Sequence, residues 1–255
     1  MTAKAILVVS VGTSYKEARE KTITVIENRL QDAFREYKVY GAVTSKRIKR
    51  KLEGEGVFLF DIKEALEQML FDGIKELIVQ PIYITKGVEY DWMLEELQPY
   101  LDKFEAVRYG HPLLTSKADY KELATIIHTV YPVEEDEILV LMGHGSEGHR
   151  NTVYSVFQCV LGQMAYDNIL VGTMKGYPTF SEVKKQLKQK GVKKVCLASM
   201  MLVAGKHVNK DMIGAKASWK AELEQEGYQV RYDRKGLLEL FWVQNMFIRH
   251  VRQTF

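Results

Sequence analysis

Two histidines hold the most chemistry in this chain. His144 ends the apolar run Ile138-Leu-Val-Leu-Met-Gly-His144-Gly-Ser146, and His207 ends Met200-Met-Leu-Val-Ala-Gly-Lys-His207. Each stands where a β-type run gives way to a turn, and open parallel sheets bind their ligands at the carboxyl ends of strands. A neutral imidazole is a good ligand for Zn, Co, Ni or Fe and takes up protons near neutral pH. Asp211 follows His207 by four residues, which on a helix puts both on one face, where a carboxylate can orient a metal-binding imidazole. The simpler reading of Asp211 is a surface residue of a second helical turn.

Other candidates are weaker. His149 follows His144 by five residues, a spacing that does not stack on a helix. Ser146 lacks the Gly-x-Ser-x-Gly surroundings of a nucleophile elbow. Gly143-His-Gly-Ser-Glu-Gly148 matches the dinucleotide pattern Gly-x-Gly-x-x-Gly, and Lys175 at the end of the next strand would suit NADP rather than NAD. That makes an NADP-dependent Rossmann enzyme a remote alternative. Glu89, in Thr85-Lys86-Gly87-Val88-Glu89-Tyr90, follows another strand end, where it either complements a helix dipole or handles protons. The run Lys46-Arg-Ile-Lys-Arg-Lys51 is a solvated helix face or a polyanion contact.

The elements that must position these residues alternate along the chain. Strands are expected at 5–10, 37–43, 77–84 and 104–109, with helices over 15–36, 62–71 and from Glu89, and then 117–130. After the acidic loop Pro132-Val-Glu-Glu-Asp-Glu137 the pattern repeats. Strands 138–142, 169–174, 195–203 and 228–232 alternate with helices 151–164, 181–190, 207–226 and 238–252. Such alternation means parallel sheets joined by right-handed crossovers. A weak internal repeat underlies it, with Leu7-Val-Val-Ser-Val-Gly-Thr13 aligning with Val140-Leu-Met-Gly-His-Gly-Ser146. The expected fold class is α/β, in two similar domains. Each is a four-stranded parallel sheet flanked by helices, with a cleft between them. The acidic loop sets the expected division at 1–132 and 133–255, the closing helix being free to pack on the N-terminal domain.

Composition narrows the functional classes. The 255 residues are 46% hydrophobic and carry 36 basic against 33 acidic side chains, so a net charge of +3 gives no general excess for nucleic acid. Two cysteines, Cys159 and Cys196, are too far apart for a short metal motif and fit a reducing compartment. The N-terminal residues enter a β-type run without a leader pattern, and no apolar stretch reaches a membrane span of roughly 18–20 residues. A cytoplasmic protein with no membrane partner is expected, and self-association into a homo-oligomer is left open.

At these same residues the sequence resembles the class II tetrapyrrole chelatases, and within them the anaerobic sirohydrochlorin cobaltochelatases of the CbiK group. The similarity spans nearly the whole chain. It includes Leu7-Val-Val-Ser-Val-Gly-Thr-Ser-Tyr15, Thr44-Ser45 with Lys51-Leu52, Pro112-Leu113-Leu114, Met142-Gly-His-Gly-Ser146, Gly176-Tyr177-Pro178, and Met201-Leu-Val-Ala-Gly-Lys-His207 with Asn209 and Asp211-Met212. The resemblance implies two chelatase-like domains around a tetrapyrrole cleft and insertion of Co²⁺ into sirohydrochlorin on the way to cobalamin, with Fe²⁺ or Ni²⁺ in relatives. The divalent metal is then a substrate, and no organic cofactor is implied. His144 becomes metal ligand and base, His207 a ligand, and Glu89 a second catalytic group. Lys175, Lys86, Lys206, Arg150, Gly12, Thr13, Gly145 and Ser146 become substrate contacts. One position departs from the family pattern. The glutamate expected before Gly-Tyr-Pro is Lys175 here, and a protonated amine repels a divalent ion and offers no lone pair. Three readings follow. The two histidines work with substrate or water as further ligands, Lys175 binds a substrate carboxylate, or the chain only binds a tetrapyrrole or metal without chelating.

Overall fold

The computed structural model describes residues 3–146 and 152–255. In chain order the elements are β1 (Lys4–Ser10), α1 (Lys16–Lys21), α2 (Ile23–Ala33), β2 (Tyr37–Val43), α3 (Lys46–Glu53), α4 (Ile62–Phe71), β3 (Glu76–Pro81), α5 (Val88–Leu97), β4 (Ala106–Tyr109) and α6 (Lys117–Val130). They continue with β5 (Glu137–Gly145), α7 (Thr152–Gln163), β6 (Ile169–Lys175), α8 (Phe180–Lys190), β7 (Lys194–Ser199), α9 (Trp219–Gln225), β8 (Gln229–Tyr232) and α10 (Phe241–Arg252). Every strand pairing is parallel, in two sheets ordered β2-β1-β3-β4 and β6-β5-β7-β8. The weak internal repeat is thus a repeat of topology, with β1 and β5 as equivalent inner strands. Both read as apolar runs because both faces are covered: Ala5–Val9 and Ile138–Met142 are buried throughout.

The chain divides into two compact units, Met1–Thr115 with Phe241–Phe255, and Ser116–Leu240. The division therefore falls before α6 rather than at the acidic loop. Leu123, Ala124 and Ile127 of α6 are buried, and the helix packs on α7 of the second unit. The acidic loop is no linker either. Arg231 of β8 forks onto buried Glu137 with two 2.7 Å hydrogen bonds and donates a third, of 2.8 Å, to the Pro132 carbonyl. Helix α10 belongs to the first unit, where Arg29 of α2 donates to Gln244 Oε1 and Asn245 Oδ1, each at 2.7 Å. Val243, Met246 and Phe247 of α10 are buried.

Two expected helices are interrupted. The run 15–36 breaks at Thr22, whose backbone leaves the helical region at φ −126°, ψ −80°. The run 207–226 becomes a π turn, Val208–Met212, a connection through Gly214, and then α9, which Ser218 caps by accepting the Ala221 N–H. A side chain on Gly214 would come within 2.3 Å of the Lys210 carbonyl, so the tight connection requires glycine. β7 ends at Ser199 and not at Val203, which frees residues 200–205 to form the loop that leads into the helical turn carrying His207. Among the described residues no helix is long and apolar enough to cross a membrane, and both cysteines are free.

Candidate metal centre

The second unit brings His144 and His207 together. Strands β5 and β7 are hydrogen-bonded neighbours, Met142 lying opposite Ser199, so the residues that follow them emerge side by side. The Met200 N–H donates to the Met142 carbonyl at 2.9 Å, and the Ser199 hydroxyl accepts the Met201 N–H at 3.1 Å, which turns the chain toward His207. The two imidazoles meet edge to face, with centroids 4.9 Å apart and planes at 75°. Two imidazoles bound to one ion through nitrogens at about 2.1 Å, with an N–metal–N angle of roughly 90–110°, hold their centroids roughly 4.5–5.3 Å apart. The observed separation falls inside that interval.

Hydrogen bonding fixes which nitrogen of each ring is available. His144 Nδ1 lies 2.7 Å from the Gly145 carbonyl, and His207 Nδ1 lies 2.7 Å from Asp211 Oδ2. Carbonyl and carboxylate oxygens only accept, so each Nδ1 carries a hydrogen, and in the neutral imidazole the lone pair is then on Nε2. The π turn sets the second bond. His207 is its N-cap residue, and the wider turn brings Asp211 beneath the ring across four residues, as the spacing suggested. Both side chains remain partly exposed, at 42% and 35%.

Comparison with known proteins shows the family. The family model for cobalt chelatase (CbiK) matches residues 4–255. The sirohydrochlorin cobaltochelatase of Salmonella typhimurium is 31% identical over 254 residues, covering 98% of this chain and 96% of that protein. This chain belongs to the cobalt chelatase family CbiK. Sirohydrochlorin cobaltochelatase CbiKC of Nitratidesulfovibrio vulgaris is 28% identical, covering 98% of this chain and 90% of that protein. A structure of SirB from Bacillus subtilis with Fe³⁺ shares the fold at a TM-score of 0.67 and 16% identity, over 99% of this chain and 96% of that one.

For this CbiK member, the glycines around His144 have a structural explanation that the sequence concealed. They are demanded by the protein's own packing. A side chain on Gly143 would come within 2.2 Å of the Tyr154 ring, and one on Gly145, at φ +70°, within 1.9 Å of the Lys175 carbonyl. Tyr154, from α7, also accepts the Gly145 N–H at 3.3 Å, so it fixes the backbone that His144 leans on. Sequence reasoning did not identify Tyr154. Its only signal was a tyrosine on the helix after the strand, which any core could supply. The nucleotide reading loses its basis, since both of these glycines are filled from within.

The remaining candidates fall into two groups. Lys175 pairs in register with Gly145, and Ser146 and Lys206 lie on the same edge of the second sheet. Thr173 holds the turn after β6 by donating its hydroxyl toward the Gly176 and Pro178 carbonyls at 3.1 and 2.9 Å. Gly12, Thr13, Lys86 and Glu89 belong to the first unit, after its inner strands β1 and β3. Thr13 is only 6% exposed, and its hydroxyl accepts the Tyr15 N–H at 3.2 Å, so it shapes a loop. Glu89 is in the first turn of α5, which has no side-chain cap. In the basic run, now α3, Lys49 is enclosed by Asp61, Glu64 and Glu53, while Lys51 reaches the Ser14 hydroxyl at 3.3 Å. Arg150 and His149 lie outside the described residues.

Proposed function

We propose that this chain is a sirohydrochlorin cobaltochelatase, inserting Co²⁺ into the ring and releasing two protons from its pyrrole nitrogens. The observation that carries the reading is the His144–His207 ring pair, edge to face with centroids 4.9 Å apart, a separation compatible with two ligands to one ion. Family membership and the named relatives support the same reaction.

The chemistry follows from the donors present. Two neutral imidazoles replace part of the hydration shell of a divalent ion and leave its other positions open to incoming pyrrole nitrogens. As the ion passes into the macrocycle, its bonds to the imidazoles break. His144 Nε2 then has a free lone pair at the place where a pyrrole proton must leave, so one group serves first as ligand and then as base. Asp211 keeps His207 in the tautomer that binds metal and stabilises the ring when it is polarised by the ion. Glu89 is a second candidate proton acceptor, and Lys175, Lys206 and Lys86 supply cations for the peripheral carboxylates of the substrate. Imidazole donors also suit Fe²⁺ and Ni²⁺, which makes both ions alternative substrates.

The test is the absorption change when sirohydrochlorin and Co²⁺ are mixed with the protein. The expected result is a rate above the spontaneous reaction, lost in His144→Ala and in His207→Ala. Tight tetrapyrrole binding without any rate above background would instead mean a non-catalytic binding protein.

A further inference from the structure

Both sheets are open, so each ends in two edge strands whose outward N–H and C=O groups can pair with another chain. The orders β2-β1-β3-β4 and β6-β5-β7-β8 make β2, β4, β6 and β8 those edges. β4 and β8 span four residues each and carry an arginine in the same setting, Val107-Arg-Tyr109 and Val230-Arg-Tyr232. Short, charged edges recruit further strands poorly. β2 and β6, at seven residues each, are long enough to template one.

On each long edge a glutamine takes the outward groups, and each time it comes from the helix that precedes the strand. Gln31 of α2 donates Nε2–H to the Tyr37 carbonyl at 2.8 Å and accepts the Val39 N–H on Oε1 at 3.1 Å. Gln158 of α7 does the same on β6, donating to the Ile169 carbonyl at 3.0 Å and accepting the Val171 N–H at 2.7 Å. A parallel neighbour strand would offer one donor and one acceptor to residues i and i+2 in just this way, so the side-chain amide stands in for one of its peptides. Further along, a loop carbonyl closes the next part of each edge. Phe60 accepts the Val43 N–H at 2.9 Å, and Pro178 accepts the Thr173 N–H at 2.7 Å. Val43 and Thr173 pair with Ser10 and Gly143, which match in the internal repeat. Both units therefore close the same edge by the same means, with different sequences around the two glutamines.

We propose that Gln31 and Gln158 are edge guards, whose amides occupy the outward rungs of β2 and β6 and so prevent a second copy of the chain from adding a strand to either sheet. The device is independent of the chelatase chemistry. It is tested in the full-length protein with the double variant Gln31→Met/Gln158→Met, which keeps the length of both side chains and removes all four hydrogen bonds. Hydrogen exchange followed by NMR should show the Val39 and Val171 amides exchanging about two- to tenfold faster. The alternate residues Lys38, Tyr40, Leu170 and Gly172, whose backbone groups turn to β1 and β5, should keep their wild-type rates. Light scattering of the concentrated variant should grow with time, together with a thioflavin T signal, while wild type stays constant. The double variant Gln31→Lys/Gln158→Lys separates an opened edge from a damaged fold. It should release the same two amides yet stay monodisperse, because lysine on an edge repels a second copy. Unchanged exchange at Val39 and Val171 in the methionine variant overturns the proposal, since the rungs are then not held by the glutamines. Faster exchange without any growth in scattering overturns it too, because the edges are then safe without them. Equal aggregation of the lysine and methionine variants traces the effect to lost stability, and the proposal falls.

Discussion

Asp211 Oδ2 accepts the Nδ1 hydrogen of His207 at 2.7 Å, from a residue one π turn further along the same segment. A carboxylate in that place fixes the tautomer and makes the opposite nitrogen more basic. Asp211→Ala should therefore raise the KM for Co²⁺ and lower kcat/KM about 10- to 100-fold, while leaving the affinity for metal-free tetrapyrrole unchanged. Asp211→Asn, whose amide oxygen still accepts, should lose less. Steady-state kinetics with metal and tetrapyrrole varied separately would check this, and equal effects on both substrates would mean Asp211 only supports the turn.

Much of this arrangement was legible in the sequence, for reasons that can be named. Inner strands buried on both faces read as unbroken apolar runs, so β1 and β5 and their carboxyl ends were visible, and with them His144. The i,i+4 spacing of His207 and Asp211 survived although the helix expected there is a π turn, because both turns bring such residues to one side. The failures have tertiary causes. The acidic loop 132–137 looked like a linker because nothing local shows Arg231, far along the chain, folding back to pair with Glu137. Gly143 and Gly145 looked like part of a dinucleotide pattern because the groups packed against them, the Tyr154 ring and the Lys175 carbonyl, come from other elements.

Lys175 occupies the position where the resemblance led a glutamate to be expected, and its register partner Gly145 directly follows His144. Lys175→Glu replaces a cation by an anionic oxygen donor at the edge where a divalent ion must arrive. Calorimetric titration of the free protein with Co²⁺ should show affinity raised by about tenfold or more, and Lys175→Met, which only removes charge, should give a smaller gain. Turnover assays then separate two roles. A Lys175→Glu enzyme that binds Co²⁺ better but tetrapyrrole worse identifies the lysine as a carboxylate contact. No change in Co²⁺ affinity for either variant would show that position 175 lies outside the metal site.

Glu27, in the middle of α2, presses its carboxylate onto β2 at Gly41, where a side chain would come within 2.1 Å of Oε1. Burial pushes its pKa from 4.5 up to about 7. The folded state thus holds this proton more tightly than the unfolded chain. The associated stability is fully present below about pH 4.5 and is lost as pH rises through 7. A shift of this size corresponds to stability on the order of 3 kcal/mol. Glu27→Gln removes the titrating group. Urea unfolding at pH 5 and pH 8 should show wild type losing stability relative to the variant as pH rises, so that Glu27→Gln is the more stable at pH 8. Groups held low, such as Asp72 beside Lys38 and Tyr40, act below this window and do not mask it. Parallel stability curves for the two proteins would mean that the Glu27 carboxylate is solvated or paired in solution.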